Sequence, residues 1–425
     1  MKFAEMSSSE RTALYRQLEE EYISFKALGL NLNITRGKPC SEQLDICVCM
    51  QKELADYICE DGVDSRNYGT ADGIPEAKRL FSTIFGMPSE LVLVGGSTSL
   101  NLMYDTMCRA YLHGVLPQFD PWCKQGKIKF LCPVPGYDRH FSITQSFGIE
   151  MINVPMRDDG PDMDMVEELV ANDPQIKGMW CVPMYSNPDG ITYGDEVVRR
   201  LAAMKTAAPD FRIFWDNAYC VHHLYKDDRD HLLNLYDECV KCGNEDRVYT
   251  FASTSKVTFA GSGLSGMAMS KANLDWTMKY LSLQLICNNN INQLRHARFL
   301  DSAEKIEEVM AKHAAIIEPK FRLVLDSLER EIAPCDIAHW HEPKGGYFIS
   351  FFSMKNCAKR LVALCAEAGL QLTAAGATYP YGVDPDDSNI RIAPTYPHID
   401  ELAQAMKLFC ITVKMASLEK LGIDN

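Results

Sequence analysis

No stretch of the 425-residue sequence approaches the roughly 18 uninterrupted apolar residues that a membrane span needs. No membrane association is expected. Positive charge is also scarce: 43 Lys and Arg face 57 Asp and Glu, a net charge of -14, whereas a nucleic-acid footprint needs a basic patch. No nucleic-acid partner is expected. The first twenty residues are charged and polar without an apolar segment, so no export leader is read and a cytoplasmic location is expected. The sixteen cysteines are scattered through apparent helices and strands of a long chain, which reads as reduced thiols in a reducing compartment rather than a disulfide framework. Cys239-Val240-Lys241-Cys242 has metal or redox spacing, with His222-His223 nearby in sequence. It lacks the second pair of a structural zinc site, and no metal is expected. Repeats and low-complexity tracts are missing too.

The chain is long enough to bury a large core and to form two closely joined domains. Residues 10–27 read as an amphipathic helix, 30–39 as an extended segment and 41–59 as a second helix. From residue 66 onward, apolar runs such as Leu91-Val92-Leu93-Val94, Ile128 to Cys132 and Gly178 to Val182 alternate with helical stretches. This implies an α/β fold with a mostly parallel sheet covered by helices on both faces. A long helical pattern over 292–329 leads out of this unit. Beyond it, segments at 337–340, 346–350 and 389–393 predict a small antiparallel sheet, flanked by helices near 354–369 and 398–421. The expected division is a large domain over 61–295 and a smaller α+β domain from 1–60 and 296–425.

Three strand-then-polar units carry chemistry. Arg247 to Phe251 alternates like a strand and runs into Ala252-Ser253-Thr254-Ser255-Lys256, ahead of Gly261-Ser262-Gly263. A lysine behind hydroxyl donors suits a Schiff base to pyridoxal phosphate, with the hydroxyls taking its phosphate. An ordinary exposed loop is the competing reading. Upstream, Phe211 to Trp215 ends in Asp216-Asn217-Ala218-Tyr219. An aspartate there can pair with a protonated pyridine nitrogen, and Tyr219 can donate to the ring oxygen; a helix cap is the alternative. Met184-Tyr185-Ser186-Asn187-Pro188-Asp189-Gly190 is ordinary turn chemistry by itself. Ser97, Thr98 and Ser99 follow a strand and open the helical run 100–112, where amide and hydroxyl donors meet an anion; a simple capped helix explains them equally.

The ordered set Gly95-Gly96-Ser97-Thr98-Ser99, Pro135-Gly136-Tyr137, Asn187-Pro188, Asp216 to Tyr219, Ser253 to Lys256 and Arg391-Ile392-Ala393-Pro394 resembles the fold-type I pyridoxal-phosphate-dependent aminotransferases over nearly the whole chain. Leu32-Asn33-Ile34-Thr35-Arg36-Gly37-Lys38-Pro39 and Asn292-Gln293-Leu294-Arg295-His296 are most similar to the type Ic aspartate aminotransferases. The resemblance implies the PLP-dependent transferase-like fold, pyridoxal 5'-phosphate as cofactor, and transfer of an amino group from L-aspartate to 2-oxoglutarate by a ping-pong mechanism. It implies Lys256 as Schiff-base lysine and proton shuttle, Asp216 at the ring nitrogen, and Asn187 and Tyr219 at the ring oxygen. Tyr137 would stack on the ring, with Ser97, Thr98, Ser99, Ser253 and Ser255 at the phosphate. Tyr68 would reach the partner's phosphate across a homodimer with a shared active site; a buried interface aromatic is its other reading. Arg391 would take the substrate's α-carboxylate beside Asn187. Arg36 and Gly37 lie in the segment closing over the substrate, and Arg36 is preferred over Lys38, Arg139 and Arg295 for a side-chain carboxylate. Whether Asn288, Asn289 or Asn290 lines the pocket stays open. One position departs from the pattern: many relatives carry a phosphate-binding arginine eight residues after the lysine, and here Leu264 stands there. Other enzymes of this fold, such as an aminotransferase of different specificity, a β-lyase or a decarboxylase, remain alternatives. So does a cofactor-binding regulator.

Overall fold

A computed structural model describes residues 2–52 and 54–423. Its strands are β1 (Leu32–Asn33), β2 (Val92–Val94), β3 (Lys129–Val134), β4 (Glu150–Arg157), β5 (Gly160–Pro161), β6 (Ile176–Cys181), β7 (Arg212–Asp216), β8 (Val248–Ser253), β9 (Ser265–Ala268), β10 (Ala338–Trp340), β11 (Ile349–Ser353), β12 (Leu370–Gln371) and β13 (Asn389–Ile392). Eight of them form one sheet in the order β2-β9-β8-β7-β6-β3-β4-β5. The pairs β4/β3, β3/β6, β6/β7 and β7/β8 are parallel, whereas β9 and β5 run against their neighbours. Both inner strands β6 and β7 are buried at every position, as expected of strands covered on two faces. Alternate residues divide the core. Phe130, Trp180 and Phe214 pack with Leu102, Met107 and Leu281 on one face, and Leu131, Met179 and Ile213 pack with Val166, Val198 and Leu201 on the other. The short β9 was hidden in a glycine-rich run. Gly266 is required within it because a Cβ would lie 2.3 Å from the Phe81 ring.

A second sheet, β10-β11-β13, is antiparallel, and β1 pairs in parallel with β12. Phe3, Leu18, Tyr22, Leu32 and Ile34 share one core with Phe321, Phe351, Leu402 and Phe409. Helix Ser8–Ala27 begins in a capping box, in which Ser7 accepts from the Glu10 amide and Glu10 accepts from the Ser7 amide.

Two helical expectations change. The helix expected over 41–59 stops at Asp45. Beyond it Cys47 is buried among Leu80, Val257 and Met310, with Sγ donating to Val257 O, and the Asp56 and Asp61 carboxylates accept from amides two residues on. Tertiary burial and these local turns outcompete the helix. The long pattern at 292–329 is two helices, Asn290–Phe299 and Ala303–Glu331, separated where Ser302 caps the second by accepting from the Lys305 amide.

Candidate active site

Parallel neighbours place their carboxyl ends side by side, so the chain leaving β6, β7 and β8 brings Asn187, Asp216 and Lys256 to one edge of the sheet. Asp216 is the last residue of β7 and is buried. His140 Nε2 donates to its Oδ2 at 3.0 Å, while the buried Oδ1 has no partner among the described residues. The His140 ring stacks on Trp180 at 4.3 Å and 8°, so its direction is set by packing.

Lys256 Nζ lies 5.1 Å from the Tyr219 ring centroid and 5.8 Å from that of Tyr347. Burial lowers its pKa, opposed by the Asp216 charge. Burial also raises the nearby phenols: Tyr137 is pushed up to about 12, aided by Asp216, and Tyr219 lies well above its ordinary value. The lysine turn is held from outside the sheet. Gln43 Nε2 reaches both the Tyr347 hydroxyl and His313 Nδ1 at 3.0 Å, and His313 Nε2 donates to Val257 O at 2.9 Å. Gln43, His313 and Tyr347 carry no local motif. His140 does carry a signal, since it follows Tyr137 by three positions in a helical turn and returns to the same side.

At the glycine-rich turn, Thr98 caps helix Ser99–His113 by accepting from the Leu100 amide. Ser255 Oγ donates to Ser97 O at 2.9 Å, and Ser265 Oγ to Gly96 O at 2.9 Å. These bonds join the turn to the lysine segment, beside Ser253 at the end of β8. Leu264 is buried in an apolar cluster with Phe81 and Ala252. Tyr68 is 72% exposed, and among the described residues no hydrogen bond or ring contact joins it to Ser97–Ser99. Of the three asparagines, Asn288 donates to Val94 O and Asn290 to Asn67 O, while Asn289 lines a cavity beside Gly96.

Arg391, on β13, comes to the same edge from the second sheet. Its Nη1 donates to Asp138 Oδ1 at 3.0 Å and to Asn187 Oδ1 at 3.3 Å, and the guanidinium lies 4.9 Å over the Phe348 ring. Gly37 packs closely against that ring, where a Cβ would sit 2.5 Å from Phe348. Arg36 is exposed and forms no ion pair among the described residues, whereas Lys38 lies over Tyr396 at 3.6 Å. Arg139 is exposed, and Arg295 is half-buried beside the glycine-rich turn. The geometry therefore combines a desolvated amine, a buried carboxylate oxygen awaiting a donor, a helix N-terminus and a buried guanidinium.

A family model for aspartate amino-transferase matches residues 6–424. The chain belongs to the aspartate aminotransferase family. It is 45% identical to the aspartate aminotransferase of Corynebacterium glutamicum over 414 residues, covering 97% of this chain and 95% of that protein. The crystal structure of an aspartate transaminase from Corynebacterium glutamicum matches with a TM-score of 0.96 at 43% identity, over 99% of this chain and 100% of that one. At the level of fold alone, the Pyrococcus horikoshii kynurenine aminotransferase matches with a TM-score of 0.73 at 18% identity, covering 96% and 95% of the two chains. The protein is thus an enzyme, an aminotransferase of fold type I, with the large, mostly parallel sheet flanked by helices and the smaller sheet domain that its sequence predicts. Within the described residues no helix is long and apolar enough to cross a membrane.

Proposed function

We propose that this aminotransferase moves the amino group of L-aspartate to 2-oxoglutarate, using pyridoxal 5'-phosphate held at Lys256. The observation that carries this reading is the convergence of Lys256, the unpartnered Asp216 Oδ1 and Arg391 at one sheet edge. The residues fit the cofactor: a buried carboxylate oxygen without a donor suits a pyridinium N–H, and the turn Ser97–Ser99 at a helix N-terminus suits a phosphate. When bound, pyridoxal 5'-phosphate supplies the electron sink for charge developing at the substrate Cα.

The chain's own groups do the rest. Lys256 Nζ, with its lowered pKa, takes the α-proton of the amino acid and later returns a proton. Asp216 Oδ1 holds the proton at the ring nitrogen, and His140 holds Asp216 by its other oxygen. Tyr219 and Asn187 would donate to the ring oxygen, and Tyr137 would stack on the ring. Ser97, Thr98, Ser99, Ser253 and Ser255 surround the phosphate. Arg391 binds the α-carboxylate in exchange for Asp138, and Arg36, beside Gly37, meets the side-chain carboxylate. Tyr219, Tyr347 and Phe348 form an apolar wall that excludes water. The high exposure of Tyr68 supports a homodimer in which it reaches the partner's phosphate turn.

Absorbance of the purified protein tests the reading. A cofactor band that L-aspartate shifts and 2-oxoglutarate restores is expected, and Lys256→Ala is expected to lose turnover while keeping cofactor. A band that aspartate leaves in place, but another amino acid shifts, would retain the aminotransferase and reject aspartate as donor. Release of ammonia without formation of a new amino acid would reject amino transfer as the main reaction.

A further inference from the structure

The cofactor reading leaves a dianionic phosphate short of positive charge. Leu264, which stands where many relatives carry an arginine, is 2% exposed in an apolar cluster. Ser255 and Ser265 direct their hydroxyl protons to the carbonyls of Ser97 and Gly96, and no cation stands among these groups.

A cavity of about 540 Å³ opens beside the turn, lined by Gly95, Gly96 and Ser97 on one side and by Gly263, Asn292 and Arg295 on another. Arg295 is the one charged residue among the described residues that line it. Its Nε is buried without a hydrogen-bond partner, and it appears in no ion pair among the described residues. A guanidinium whose Nε is buried and unbonded at the wall of a cavity raises the question of what anion it serves. Its position is fixed. Asn292, one turn earlier on helix Asn290–Phe299, donates to Ser262 O at 3.1 Å and Gly263 O at 3.2 Å, which ties the helix to the glycine-rich run after Lys256. The positive end of the same helix, capped by Asn289, faces this cavity.

We infer that Arg295 supplies the phosphate-binding charge that Leu264 does not, so that the cation has moved from the loop after the lysine to the following helix. This rests on the cofactor reading above. Apo-protein titrated with pyridoxal 5'-phosphate and with pyridoxal, which lacks the phosphate, separates the two ideas. Arg295→Gln is expected to weaken pyridoxal 5'-phosphate about tenfold to a hundredfold, the scale of a hydrogen bond to a charged group, and to leave pyridoxal within about twofold. Arg295→Lys should recover part of the loss, and inorganic phosphate should compete in the wild type more strongly than in Arg295→Gln. Unchanged affinity for the phosphorylated ligand, or an equal loss for both ligands, would overturn the inference. Loss of preference for aspartate over alanine with cofactor affinity intact would instead assign Arg295 to the substrate. A wild type that binds neither ligand would overturn the cofactor reading itself, and this inference with it.

Discussion

Arg391, beside Asp138 and Asn187, and Arg295, beside the glycine-rich turn, are held in opposite ways. Arg391 is 7% exposed and already has Asp138, Asn187 and the Phe348 ring around its guanidinium. Arg295 is half-buried with a bare Nε and no ion pair among the described residues. A ligand that enters and leaves in every cycle benefits from a binding group pre-oriented by a counter-ion it can displace. A phosphate that stays requires no such stand-in. On this view the presence or absence of a resident carboxylate separates a turnover site from a storage site.

The largest test removes Arg391. Arg391→Ala is expected to lower kcat/KM about a hundredfold or more for aspartate and alanine alike, with cofactor affinity unchanged, since the buried pair loses its cation. Arg36→Ala in the same steady-state assay should affect aspartate alone; an equal effect on alanine would remove Arg36 from side-chain recognition. A smaller effect tests displacement. Asp138, with a side chain 34% exposed, makes a pair of modest strength. Asp138→Asn is therefore expected to lower KM for both substrates about threefold to tenfold with kcat little changed. A rise in KM would mean that Asp138 orients Arg391 rather than competing for it.

The smallest effect concerns a buried charge with neither a displaceable counter-ion nor a proposed ligand. Asp189 is 1% exposed, neither of its oxygens has a well-formed hydrogen bond among the described residues, and His341 Nδ1 stays 3.7 Å away. Burial raises its carboxyl to about 7, opposed by the Ser350 hydroxyl. Because the folded value lies above the ordinary carboxyl range, its contribution is fully present below about pH 4 and is lost as pH rises through about 7. Asp189→Asn should therefore gain stability relative to wild type between pH 5 and pH 8, by about 2–4 °C in Tm. A difference that does not change with pH would show that Asp189 does not titrate in the folded state.

Much of the candidate site was legible because its polar residues follow apolar strands: Asn187, Asp216 and Lys256 each leave a strand whose alternation marks it. The supporting groups were not. Gln43 and His313 are far apart in sequence, yet they bond directly to each other and, through the Tyr347 hydroxyl and Val257 O, to the lysine turn. The helix expected over 41–59 failed for a related reason, since its periodicity is that of a segment buried against several elements rather than along one stripe. Asp138 sits next to Tyr137 in plain view, but nothing in its neighbourhood points to an arginine on β13.

The sequence by itself determined the strand cores, the polar residues at their carboxyl ends and, through their order, the family. These are short-range properties: alternation, turn chemistry and spacing are written in adjacent residues. Tertiary structure decided which charges have partners. Arg391 acquires Asp138 and Asn187 from two other segments, Arg295 is left beside the glycine-rich turn, and Asp189 is enclosed without a well-formed hydrogen bond among the described residues. Pairing and desolvation depend on distances of a few ångströms between residues that are remote in sequence, and only the packed chain sets those distances.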